Sequence, residues 1–216
     1  MSQLEKVKLI RTSEKELCHL FDRIELNVDL SRGKRSFKFV EILTQFSNLR
    51  SLSIHFSAHI ELNQRIMNND DSQNMIDILL SNLPRLQTFN IYICPPRKLH
   101  IKSRTLQEFG LFKSDAIELT KLELPNLLKL NIHENTVEMF RKILSDRETS
   151  GCHLHRNLLS VIYDGCPILR SINHLRLSPE LCSRQRPDKK SWTRLVNRLL
   201  VKQYKQAIQQ KHFPKQ

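Results

Sequence analysis

A short apolar phrase returns along this chain as Leu49-Arg-Ser-Leu52-Ser-Ile54, Leu86-Gln-Thr-Phe89-Asn-Ile91, Leu106-Gln-Glu-Phe109-Gly-Leu111 and Leu127-Leu-Lys-Leu130-Asn-Ile132. A later copy is Leu169-Arg-Ser-Ile172, and a weaker first one is Phe21-Asp-Arg-Ile24-Glu-Leu26. Between leading residues the intervals are 28, 37, 20, 21 and 42, the last being twice 21. Self-similarity at such a period marks a chain of stacked units, each too small to bury its apolar face alone.

Within each phrase the apolar residues alternate, as in Leu52-x-Ile54, which places them on one face of a short strand. Stacked strands of one direction need crossovers. Helical spacing is present in four of these: Phe37 to Phe46, Asn74 to Leu83, Val137 to Leu144, and Leu158 to Ile162. Asp70-Asp71-Ser72 offers caps to the second. Leu99-His-Ile101 and Leu122-Glu-Leu124 alternate instead, so two middle connections are expected to be extended. The polar run His59 to Gln73 reads as a surface loop, and Ser145 to His155 as a loop or a decayed unit. The expected fold is α/β: a leucine-rich repeat solenoid of six or seven units, a curved parallel sheet with short helices or extended segments on its convex side.

Residues 1–182 are assigned to the solenoid and 183–216 to a basic linker and amphipathic C-terminal helix. On that helix Trp192, Leu195, Val196, Leu199, Leu200 and Ala207 share one arc, opposite Arg194, Arg198, Lys202 and Lys205. Open solenoids need a terminal cap, and this helix is the candidate. Replacing Leu199 by Asp should then bury a charge.

The net charge is +13, and residues 183–216 carry ten Lys or Arg against Asp188 alone. That concentration opens a phosphate-binding alternative through Lys189, Lys190, Arg194, Arg198, Lys202 and Lys205, toward nucleic acid or anionic lipid. The cysteines, Cys18, Cys94, Cys152, Cys166 and Cys182, are odd in number and widely spaced, as expected for reduced thiols. Cys152-His-Leu-His155 lacks the second close ligand pair usual for zinc, and no metal or cofactor is expected. No apolar run is long enough to span a bilayer, and Met1 to Ile10 lacks the apolar block of a secretory signal. The chain is expected in the cytoplasm or nucleus. Glycines at 33, 110, 151 and 165 alone cannot form a P-loop or a GxGxxG cradle, and no HExxH or GxSxG occurs. An enzyme is not expected.

Residues alternating with the buried ones should form a binding face. One row is Asn27, His55, Tyr92, Phe112 and His133, and another is Glu25, Ser53, Asn90, Gly110 and Asn131. His55, Tyr92, Phe112 and His133 should stand as a column of rings on neighbouring strands. With Asn90, Lys129 and Asn131 they are the candidate site for a protein partner.

Leu83-Pro-Arg-Leu86, Leu124-Pro-Asn-Leu127 and Cys166-Pro-Ile-Leu169 each put a proline in the turn directly ahead of a strand. Over about residues 20 to 177 this resembles the leucine-rich repeat region of F-box/LRR proteins, where Cys-Pro-x-Leu or Leu-Pro-x-Leu introduces the strand. The resemblance implies a substrate-recognition surface related to ubiquitin-ligase receptors. The family's F-box, which docks a Skp-type adaptor, has no counterpart expected within residues 1–20.

Overall fold

Every copy of the phrase is a strand in the computed structural model, which describes residues 21–29, 38–57, 69–92, 98–112, 118–133, 151–173, 175–182 and 186–212. In chain order the strands are β1 (Arg23–Asp29), β2 (Ser51–Ser57), β3 (Thr88–Tyr92), β4 (Lys98–Lys102), β5 (Glu108–Phe112), β6 (Glu118–Glu123), β7 (Lys129–His133), β8 (Ser171–Ile172) and β9 (Leu175–Arg176). The fold is mixed α/β, built on a seven-stranded open sheet of order β1-β2-β3-β5-β7-β8-β9. It is parallel throughout except for β9, which turns back antiparallel on β8. β7 pairs directly with β8, so no strand of this sheet lies between the two.

The turn ahead of each strand explains the prolines. Phe46, Leu83, Leu124 and Cys166 are buried, and their carbonyls accept the N–H three residues on, from Leu49, Leu86, Leu127 and Leu169. Pro84, Pro125 and Pro167 occupy the second turn position, where no donor is required and a fixed φ is favourable. Ser103 takes the same place ahead of β5, where its hydroxyl accepts from the N–H groups of Thr105 at 3.2 Å and Leu106 at 3.3 Å. Leaving the turn, the chain is tied to the previous unit by a recurrent forked bond. The Asp22 carbonyl accepts from Arg50 and Ser51, that of Arg50 from Gln87 and Thr88, and that of Gln87 from Gln107 and Glu108. The Gln107 carbonyl then accepts from Leu128 and Lys129, and that of Leu128 from Arg170 and Ser171.

A second row of elements covers the buried face. It contains α1 (Lys38–Leu43), α2 (Asn69–Asn82), the parallel pair β4–β6, α3 (Gly151–Gly165) and α5 (Lys189–His212), with the single-turn α4 (Pro179–Cys182) ahead of α5. Each packs on the next in that order: α1 on α2, α2 on β4, β6 on α3, α3 on α5. One hydrophobic cluster joins both rows, including Val40, Ile76, Leu79, Leu99, Ile101, Leu122, Leu159 and Ile162 with the strand residues Leu52, Phe89, Phe109 and Leu130. The two middle connections are extended, as their alternation requires. Two loop expectations are corrected: residues 69–73 already belong to α2 and 151–155 to α3, so Asp70, Asp71 and Ser72 lie inside the first turn of α2. The helical pattern Val137 to Leu144 lies outside the described residues. Gly165 lets α3 meet β6 backbone to backbone, since a Cβ there would fall 1.9 Å from the Leu122 carbonyl oxygen.

Arg186 fastens the chain between α4 and α5. Its guanidinium donates to the carbonyls of Tyr163 and Cys166, at the C-terminal end of α3, where a cation complements the helix dipole. It also lies 3.8 Å from the centroid of the Tyr163 ring. Tyr163 packs edge-on against Trp192, whose Nε1 donates to the Leu181 carbonyl at 3.0 Å. Asp188 caps α5, accepting at Oδ1 from the N–H groups of Lys190 and Ser191, and bonding to Ser191 holds its carboxyl below the usual range. The apolar arc of α5 is narrower than the sequence suggests. Trp192, Val196 and Leu200 are buried, one turn apart, whereas Leu195 and Leu199 are 41% and 36% exposed. No described helix is long and apolar enough to cross a membrane.

Burial of that stripe sets a stability test. Val196→Asp places an unpaired charge in the core and should cost about 3–5 kcal/mol, whereas Leu199→Asp, contrary to the sequence expectation, should stay within about 0.5 kcal/mol. Denaturant unfolding followed by Trp192 fluorescence measures both, and equal losses would mean that both positions are covered.

Candidate functional site

Along β3 the half-buried Thr88, Asn90 and Tyr92 alternate with the fully buried Phe89 and Ile91. The same alternation on β2 and β5 turns His55 and Phe112 to the face away from the core. Register then aligns the rings: His55 lies opposite Tyr92, Tyr92 opposite Phe112, and Phe112 opposite His133. His55 and Tyr92 stack with centroids 3.9 Å apart and planes 8° from parallel, and Tyr92 and Phe112 at 4.4 Å and 10°. Both separations are shorter than the strand spacing of about 4.8 Å, so the rings close on one another beyond what the backbone imposes. The His133 side chain lies outside the described residues.

Gly110 makes the stack possible. A Cβ at this position would lie 2.2 Å from Asn90 Oδ1 and 2.4 Å from Cε2 of Phe112. The Phe112 ring therefore lies back over Gly110, and Asn90 reaches into the same space. Asn90 Nδ2 donates to Ser53 Oγ at 3.3 Å, while its Oδ1 is buried without a hydrogen-bond partner.

Charged and polar groups frame the rings on both sides. Glu25 Oε1 lies 2.8 Å from His55 Nε2, an ion pair when the imidazole is protonated, although the approach is off the line of a hydrogen bond and leaves that nitrogen otherwise unpartnered. On the other side Glu108 accepts from Asn131 Nδ2 at 3.0 Å and pairs with Lys129 at 3.7 Å. The structure thus brings His55, Asn90, Tyr92, Phe112, Lys129 and Asn131 to one face and adds Glu25 and Glu108. Glu108 was legible as a cross-strand charge pair with Lys129, which it faces in register.

The basic residues of α5 are less uniform than their spacing implies. Lys189 is tied to Asp164 of α3, so it braces two helices. Lys190, Arg194, Arg198 and Lys202 are exposed, while the Lys205 side chain lies outside the described residues. Arg198 and Lys202 border an open depression of about 520 Å³ with Val201 and Gln206. Among the described residues no group of three His, Cys, Asp or Glu is placed to hold a metal ion.

Gly110→Ala is the most direct probe of the ring face, because the atoms nearest the added methyl belong to the Asn90 and Phe112 side chains. The variant should fold and keep most of its stability while its near-ultraviolet aromatic circular dichroism changes as Phe112 is pushed off Tyr92. An unchanged aromatic signal would show that Phe112 does not lie over residue 110.

No protein-family model matches this chain, and neither a curated protein nor a solved structure is significantly similar to it.

Proposed function

We propose that this chain is a non-enzymatic protein-binding module, a leucine-rich repeat solenoid whose ring-bearing sheet face receives a protein partner. The observation that carries this reading is the half-exposed stack of His55, Tyr92 and Phe112, pre-ordered by Gly110 and framed by Glu25, Glu108 and Lys129. Rigid rings already held in one geometry lose little freedom when a partner covers them, and aromatic anchors dominate protein interfaces. The resemblance to F-box/LRR proteins makes substrate recognition for ubiquitin ligation the form of this activity to test first.

Tyr92→Ala combined with Phe112→Ala should leave the melting transition nearly intact and weaken partner binding by about 2 kcal/mol or more. Quantitative affinity purification with the wild-type chain and the double variant in parallel identifies partners as the proteins depleted with the variant. Loss of stability without selective loss of any partner would make the rings structural.

A second reading is nucleic-acid or anionic-membrane binding through α5. What favours it is the exposure of Leu195 and Leu199 beside Arg194, Arg198 and Lys202, the pattern of a helix lying on an anionic surface. Vesicle or RNA binding that falls steeply with salt and is abolished by Arg194→Gln with Arg198→Gln is the expected outcome there.

A further inference from the structure

Where the parallel strands begin, the turns ahead of β3 and β5 open into a groove of about 370 Å³. Arg50, Arg85 and Arg104 line it with the amides of Gln87, Gln107 and Asn126, and no carboxylate or aromatic ring takes part in the lining. The placement follows from the repeat. Arg50, Gln87 and Gln107 occupy the same position in successive units, each supplying the forked carbonyl described above, so their side chains succeed one another at about the strand spacing of 4.8 Å. Arg85 and Asn126 hold the corresponding place one turn earlier, just ahead of the leading leucines Leu86 and Leu127.

The three cations find neutral neighbours rather than acidic ones among the described residues lining the groove. Arg85 donates from Nη1 to Asn48 Oδ1 at 2.6 Å, and Asn126 steadies the Arg104 backbone by donating from Nδ2 to its carbonyl at 2.7 Å. Among the described residues none of the three guanidinium groups is paired with a carboxylate. Three like charges lining one concavity repel one another, and a multiply charged anion relieves that repulsion while offering oxygen pairs that match the guanidinium fork. The N–H groups of Arg50, Gln87 and Gln107 are consumed by the forked bonds, so at these positions recognition falls to the side chains.

We propose that this groove binds a polyphosphate anion, held by Arg50, Arg85 and Arg104 and recognised by its phosphates alone. With no aromatic ring in the lining and the guanidinium groups engaged by phosphate oxygens, nothing is left for a nucleoside base to stack on. The site is separate from both the ring face and α5, and stands or falls independently of either.

Calorimetric titration of the full chain with tripolyphosphate tests it. Saturable binding is expected, ATP should bind as tightly as tripolyphosphate, and adenosine should not bind. Arg50→Gln and Arg104→Gln should each weaken tripolyphosphate about tenfold without moving the melting temperature of the free protein, because both side chains are exposed. Arg176→Gln, an exposed charge on β9 outside the groove, should leave the affinity unchanged, and the α5 variant Arg194→Gln with Arg198→Gln reports any binding by that helix instead. Absence of saturable binding, loss of affinity in the α5 variant with retention in the groove variants, or binding of adenosine would overturn the proposal.

Discussion

The forked bond, one carbonyl shared by two successive N–H groups of the next unit, is the constraint from which the rest of this structure follows. It recurs from Asp22 to Leu128 at the entry to β2, β3, β5, β7 and β8. Each such bond is worth only about 0.5–1.5 kcal/mol net, but its effect is positional. It fixes which residue of each unit lies beside which residue of the last, and the leading leucines Leu49, Leu86, Leu106, Leu127 and Leu169, all at most 2% exposed, follow at the same depth. A slip of one residue would exchange the two faces of every strand, placing Tyr92 in the core and Ile91 in solvent.

Both candidate surfaces are by-products of that register. On the sheet face it aligns His55, Tyr92 and Phe112, and Gly110 turns alignment into stacking. At the strand-entry edge it aligns Arg50 with Gln87 and Gln107, and Arg85 with Asn48 and Thr105. A repeated backbone thus writes side chains into columns, and the chemistry of each column depends on what successive units carry at one position.

Much of this was legible in the sequence because the signals were local. Period-two alternation located the strands, Leu99-His-Ile101 disclosed an extended crossover, and the prolines marked the turns. What escaped depended on neighbours. Asn69 to Gln73 is polar yet helical, since α2 is anchored by Met75, Ile76 and Leu79 further along. A helical wheel grouped Leu195 and Leu199 with Val196, but α5 is packed mainly by α3 and β9, with α4 meeting Trp192, and they cover a stripe one residue wide per turn. The planes of the rings required knowing that Phe112 folds back over a glycine. The arginine groove is assembled from turns some 20 to 37 residues apart in a way no single unit announces.

Cys166 shows how one position can serve geometry and forgo chemistry. It stands where other units carry Phe46, Leu83 or Leu124, and burial pushes its thiol up to about 12 even though the charge of Arg186 opposes that shift. At neutral pH it holds its proton, and since only the thiolate attacks disulfides, electrophiles and peroxides, it behaves as a small apolar residue. At the junction where α3, Arg186 and Trp192 meet, Cys166 therefore takes the place of an aliphatic side chain for as long as the fold keeps it buried.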